Sequence, residues 1–204
     1  MLDQARLYAI TPDADPEQVV DLVGALLRGG VQMVQLRHKS LARAQLLQLA
    51  TRLVELVRGA GGLLIVNDHV DIAMISGADG VHLGADDLPV GDARRVVGRN
   101  LIIGASASTA ESAMLAMKAG ADYLGAGPVF ATPLKAAKPA IGPEGVRSVA
   151  DQVPVPVFAI GGIDTGNVGM LVSAGVVRVC VIRALAEAAD PEATARRFRE
   201  ILGE

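Results

Sequence analysis

A glycine followed by a short β-rich run recurs four times in this chain, each time after an amphipathic stretch. The copies are Gly30-Val31-Gln32-Met33-Val34-Gln35-Leu36, Gly77-Ala78-Asp79-Gly80-Val81-His82-Leu83, Gly120-Ala121-Asp122-Tyr123-Leu124-Gly125-Ala126 and Gly175-Val176-Val177-Arg178-Val179-Cys180-Val181. A glycine that closes a helix in the left-handed conformation just before a strand is the chemistry of a helix-to-strand loop. Apolar runs at 7–10, 63–66, 101–105 and 155–160 fill the gaps, which makes eight strands. Between them apolar residues recur three and four apart, as over 17–27, 41–57, 109–119 and 192–201, and this is helical periodicity. Thr109 and Ser40 are the expected N-caps, and Pro16, Pro143 and Pro191 suit first-turn positions.

Strict alternation of strand and helix, with nearly continuous apolar strands, implies a parallel sheet covered by helices. Eight units favour closure into a (β/α)8 TIM barrel of the α/β class. An open doubly wound sheet is the alternative, since strand order is not written in the sequence, but no GxGxxG follows the first strand. A length of 204 residues with 51% hydrophobic content suits one core, so a single domain over 1–204 is expected.

Composition removes several partners. A net charge of −3 and 2% aromatic content give neither the basic field nor the stacking rings that nucleic acid requires. No apolar run reaches the roughly 18 residues of a membrane span, and Asp3 stands where a secretory signal carries a basic residue. A soluble, unprocessed protein of a reducing cytoplasm is expected, with the lone Cys180 filling core space. A homo-oligomer is compatible with all of this.

In a barrel the chemistry lies at the carboxyl ends of the strands. On the second strand Met33, Gln35 and Arg37 share one face, and Lys39 continues it into the loop, so two cations and an amide converge as an anionic pyrophosphate requires. Asp68 after the third strand, with Asp86 and Asp87 after the fourth, could form a hard-oxygen Mg2+ site. Asp68 would equally serve as a helix N-cap, and Asp86 and Asp87 as a solvated turn before Pro89. His82 reads as a hydrogen-bonded core histidine, while His38 and His69 flank the candidate site. Ser106 offers a hydroxyl at the mouth or an N-cap to the next helix. The segment 125–142, with Thr132, Lys135 and Lys138, reads as a mobile lid that brings a cation to phosphate. Gly161 and Gly162 end the seventh strand, where barrels bind phosphate through backbone N–H groups. The inventory holds cations and carboxylates but no nucleophile paired with a base.

Taken in order, Gln35-Leu36-Arg37-His38-Lys39, Asn67-Asp68, Gly80-Val81-His82-Leu83-Gly84 with Asp87-Leu88-Pro89, Gly104-Ala105-Ser106-Ala107, Gly125-Ala126-Gly127-Pro128-Val129-Phe130 and Ile160-Gly161-Gly162-Ile163 resemble the thiamine phosphate synthase family along nearly the whole chain. The resemblance implies a transferase that condenses 4-amino-2-methyl-5-hydroxymethylpyrimidine pyrophosphate with hydroxyethylthiazole phosphate, giving thiamine phosphate and pyrophosphate with Mg2+. It implies that Gln35, Leu36, Arg37, His38, Lys39, Asn67, Ser106 and Lys135 hold the pyrimidine pyrophosphate, with Arg37, Lys39, Ser106 and Lys135 catalytic. It places Asp68 and Asp87 on Mg2+, and Thr132, Pro133, Leu134, Gly162, Ile182 and Arg183 on the thiazole phosphate. Three positions depart from the family pattern: His38 replaces an acid, Ser108 a histidine and Leu134 a second threonine. The first two are read as peripheral, whereas Leu134 removes a hydroxyl donor from the phosphate loop.

Two rivals remain. A thiazole tautomerase of the same barrel would transfer protons and has no use for a metal-pyrophosphate site, so Arg37, Lys39, Asp68, Asp87 and Lys135 weigh against it. A non-catalytic barrel that binds thiamine precursors would carry the same binding residues.

Overall fold

The four repeated glycines, Gly30, Gly77, Gly120 and Gly175, all take positive φ, between 73° and 106°, each at the turn that ends a helix and leads into a strand. The chain is described here by a computed structural model over residues 1–132 and 139–204. After a short 3-10 turn at Leu2–Gln4, strands and helices alternate. The strands are β1 (Leu7–Ile10), β2 (Met33–Leu36), β3 (Leu63–Asn67), β4 (Gly80–Leu83), β5 (Ile102–Ala107), β6 (Tyr123–Ala126), β7 (Val157–Ile160) and β8 (Val179–Val181). The helices are α1 (Pro16–Arg28), α2 (Arg43–Gly59), α3 (Val70–Ser76), α4 (Val90–Val97), α5 (Ala110–Lys118), α6 (Gly142–Ala150), α7 (Val168–Ser173), α8 (Arg183–Ala186) and α9 (Pro191–Leu202).

Each strand pairs in parallel with the next, and β8 pairs with β1, so the barrel is closed and the open sheet is excluded. The two-residue period of the strands divides the apolar residues into two cores. Leu7, Val34, Leu36, Leu64, Val81 and Leu124 face outward against the helices. Tyr8, Met33, Ile65, Tyr123, Phe158 and Cys180 fill the barrel interior. Both cores are almost fully buried, and Cys180 belongs to the inner one, as its apolar setting predicts.

Caps set the helix starts. Thr109 accepts from the Ser112 N–H in a capping box, and Asp15 accepts from the Glu17 N–H ahead of Pro16. Ser40 does not cap α2, contrary to expectation. That helix starts after Ala42 without a side-chain cap, so Ser40 lies two residues ahead of the N-cap position, with its hydroxyl 3.4 Å from Nδ1 of His38. Among the described residues no helix is long and apolar enough to cross a membrane.

Candidate functional site

A cavity of about 450 Å3 opens at the carboxyl ends of the strands, and Gln35, Arg37, Lys39, Asn67, Asp68, His82, Asp87 and Ser106 line it. The alternation of β2 turns Gln35 inward, and the same alternation carries Arg37 and Lys39 beyond the strand end to the same rim. The loop after β1 fixes that rim. Thr11 donates its N–H to the Gln35 carbonyl at 2.9 Å, and its hydroxyl oxygen accepts from the Arg37 N–H at 3.0 Å. Asp13 accepts from the Lys39 N–H at 2.7 Å and lies 3.9 Å from the Arg37 guanidinium. Sequence reasoning passed over Asp13, although a polar residue just past the end of a barrel strand is the signal that would have found it.

Two residues expected on the pyrophosphate are turned away by the same alternation. The Leu36 side chain is buried against the helices, so only its backbone can face a ligand. The His38 ring is 8% exposed, bonds the Ala14 carbonyl at 2.8 Å through Nε2, and accepts from the Leu41 N–H at 3.2 Å through Nδ1. It ties two loops together.

Asp68 and Asp87 meet across the cavity. Burial, followed by the hydrogen bond and charge of Asp87, raises the Asp68 carboxyl to about 6, against the opposing pull of Lys39 and Arg37. Asp87 also accepts from the Gly84 N–H at 2.7 Å, which holds the β4 loop around it. The N-cap reading of Asp68 fails: α3 is capped at His69 without a side-chain bond. Asp68 itself has φ of 64°, the only non-glycine residue with positive φ among those described. Such a conformation costs about 1 kcal/mol or more and recurs where function demands it. Among the described residues no cluster of three or more His, Cys, Asp or Glu forms a metal site of its own.

Ser106 is likewise no helix cap. It lies within β5, and its hydroxyl oxygen is 3.1 Å from Nε2 of His82. His82 is hydrogen-bonded as expected, but it sits on the cavity wall rather than deep in the core. The structure thus does bring a serine and a histidine together, but the other ring nitrogen faces the Tyr123 hydroxyl at 3.0 Å instead of a carboxylate. Ser108, expected at the periphery, also lines the cavity.

A second cavity of about 390 Å3 adjoins the first and shares Ile160 and Ile182 with it. Thr132, Gly161, Gly162, Ile182 and Arg183 line it. Gly162 has φ of 68°, and a Cβ there would come within 2.9 Å of the Ala131 carbonyl and of Phe130. The conformation and the close approach both demand glycine. Asn167 donates to the Gly162 carbonyl at 2.8 Å and holds the turn in shape. Thus Gln35, Asn67, Asp87 and Ser106 share one mouth with Gly162. Pro133, Leu134 and Lys135, and with them the middle of the expected lid, lie outside the described residues.

This fold and mouth define a class: a parallel (β/α)8 barrel with cations and paired carboxylates beside a double-glycine turn at the end of β7. The chain belongs to the thiamine monophosphate synthase family, whose model matches residues 7–185. It is 45% identical over 198 residues to the thiamine-phosphate synthase of Chlorobium luteolum, covering 96% of this chain and 92% of that one. It is 43% identical over 197 residues to the thiamine-phosphate synthase of Thermosynechococcus vestitus, covering 97% of this chain but only 56% of the relative's length. The structure of thiamine phosphate pyrophosphorylase from Pyrococcus furiosus matches with a TM-score of 0.88 at 37% identity, over 97% of this chain and 95% of that one.

Proposed function

We propose that this chain is a transferase that joins the pyrimidine pyrophosphate to the thiazole phosphate and releases pyrophosphate. One observation carries the reading: two adjoining cavities, one lined by Arg37, Lys39, Asp68 and Asp87 and the other built on the Gly161–Gly162 turn, meet at Ile160 and Ile182, so two substrates can touch. In this reading Arg37 and Lys39 face the diphosphate, with Gln35, Asn67 and Ser106 around the pyrimidine ring. Thr132, Gly162 and the backbone of Ile182 and Arg183 hold the thiazole phosphate. The family relationship supports both assignments.

A divalent cation fits the charged cavity, because Asp68 and Asp87 lie close enough to share a proton whose place Mg2+ would take. Asp68 and Asp87 would hold Mg2+, which would supply neutralising charge to the diphosphate. The C–O bond between the pyrimidine methylene and the diphosphate breaks, and its electron pair leaves with the diphosphate. Arg37 and Lys39 offset the charge that develops there. The thiazole nitrogen gives its lone pair to the same methylene carbon and forms the new C–N bond. No proton needs to move, so positioning and charge neutralisation do the catalysis.

Purified protein with Mg2+ and both substrates should form thiamine phosphate and pyrophosphate in equal amounts, and EDTA should stop both. A protein that forms neither, as a tautomerase or a non-catalytic binder would, overturns the proposal.

A further inference from the structure

Gln35 and Ser106 both line the charged cavity, and buried hydrogen bonds join them behind its wall. The Gln35 amide Nε2 donates to the Tyr8 hydroxyl at 2.5 Å, and the Tyr8 and Tyr123 hydroxyls are 2.8 Å apart. Tyr123 then reaches Nδ1 of His82 at 3.0 Å, and Nε2 of His82 reaches Ser106 at 3.1 Å. Tyr8 and Tyr123 are 1% and 0% exposed and pack edge to face with each other and with Phe158. Gly104 makes room for this arrangement, since a Cβ there would lie 2.0 Å from Cζ of Tyr123.

Each phenol has one proton, and burial holds both far above their usual titration range, so both keep it. With Gln35 donating to Tyr8, the Tyr8 proton goes to Tyr123 and the Tyr123 proton to Nδ1 of His82. The ring therefore carries its hydrogen on Nε2 and donates it to Ser106. This leaves the Gln35 carbonyl oxygen as an acceptor on the cavity wall and the Ser106 hydroxyl as a donor. Turning the Gln35 amide over would reverse every link and exchange the two ends.

An aminopyrimidine shows an N–H donor beside a ring-nitrogen acceptor along one edge, whereas the corresponding oxo ring shows the opposite pattern. We propose that the Gln35–Tyr8–Tyr123–His82–Ser106 chain sets the polarity of this wall, making Tyr8 and Tyr123 positioning residues that select an amino over an oxo pyrimidine diphosphate. The assignment rests on the proposed pyrimidine substrate. Ser106 acts as a donor to the ring and not as a nucleophile, because His82 gives it a hydrogen instead of taking one.

Nitrogen-15 NMR of the three histidines, with His82 identified by loss of its signals in His82→Asn, should show His82 protonated at Nε2. Protonation at Nδ1 would overturn the direction of the chain. Wild type should prefer the amino over the oxo pyrimidine diphosphate by at least about a hundredfold in kcat/KM. Tyr123→Phe and Tyr8→Phe should each cut that preference about tenfold while the KM for thiazole phosphate stays the same. A folded variant with the preference intact, or with both substrates weakened equally, would overturn the proposal. Should Tyr123→Phe fail to fold, Tyr8→Phe and the wild-type tautomer decide. Should wild type form no thiamine phosphate, the proposed function falls, and calorimetric affinities for the two pyrimidine diphosphates decide the chain by itself.

Discussion

The two adjoining cavities are built from different material. The larger one is walled by side chains: Arg37, Lys39, Asp68, Asp87 and Ser106 bring charges and a hydroxyl from the ends of four successive strands, β2 to β5. The smaller one lies at the ends of β7 and β8 around the Gly161–Gly162 turn, with Thr132, Asp164, Arg183 and Glu187 among its lining residues. A side-chain wall can concentrate charge and raise a carboxyl to about 6, as it does at Asp68, but its groups repel and desolvate one another. Backbone N–H groups at a glycine turn add no net charge and hold their place through turn geometry, so that part of the second wall suits a phosphate that only needs to be held. In the proposed function the chemistry belongs to the first wall and the grip to the second.

The largest expected effect tests the first wall. Asp87→Ala removes one of the two carboxylates proposed for Mg2+, and kcat/KM should fall by roughly a thousandfold, several kcal/mol of transition-state stabilisation. Its melting temperature should fall only modestly, because the side chain supports no core and the loss is one loop hydrogen bond, from the Gly84 N–H. Steady-state kinetics across Mg2+ concentrations, with thermal denaturation alongside, check both halves; near wild-type turnover contradicts the metal assignment.

Gly162→Ala probes the backbone wall. The added Cβ meets the Ala131 carbonyl at 2.9 Å in a left-handed conformation, which should cost about 1–3 kcal/mol of stability. The KM for thiazole phosphate should rise about tenfold or more, and that for the pyrimidine pyrophosphate should not. A rise in the pyrimidine constant alone would mean the two cavities have been assigned the wrong way round.

The smallest effect is a gain. Native Asp68 holds its proton up to about 6, against an ordinary value of 3.8, so the charged form weakens the fold. Its contribution to stability is fully present below about 4, declines as pH rises through 6, and is a constant penalty above that. Asp68→Asn should therefore stabilise the metal-free protein at pH 7.5. The site is partly open to solvent, so the gain should be about 1 kcal/mol, roughly 2–4 °C. It should shrink towards zero as pH falls to 4. Melting curves that show a constant or growing gain at low pH would contradict the raised carboxyl.

The contrast between the walls also governs what a reader of the sequence can see. Gln35, Arg37 and Lys39 are legible because polar residues spaced two apart on an apolar strand have a single direction to point. The same rule should have excluded the side chains of Leu36 and His38, which lie on the opposite phase and face the helices or tie loops together. Eight strands were readable from four repeated glycines and four apolar runs, and their number favoured closure, although the β8 to β1 pairing itself, between the two ends of the chain, is not written in the sequence. The pairing of Tyr8 with Tyr123 was not legible, because a phenol inside an apolar strand gives no hint of its partner across the barrel. His82 was read as a core histidine for the same reason, although its ring reaches Ser106 at the mouth. Ser40 shows the converse: a good capping residue stands two positions ahead of the N-cap, Ala42, after which the helix begins at Arg43.

Calorimetric titration of each substrate alone, with and without EDTA, tests the division between the walls most directly. The account predicts that removing Mg2+ abolishes or severely weakens binding of the pyrimidine pyrophosphate, because Asp68 and Asp87 then face its oxygens without a cation between them. Thiazole phosphate should bind the cavity at Gly162 with the same affinity in both conditions. A thiazole phosphate affinity that falls with the metal, or a pyrimidine pyrophosphate affinity indifferent to it, would contradict the account.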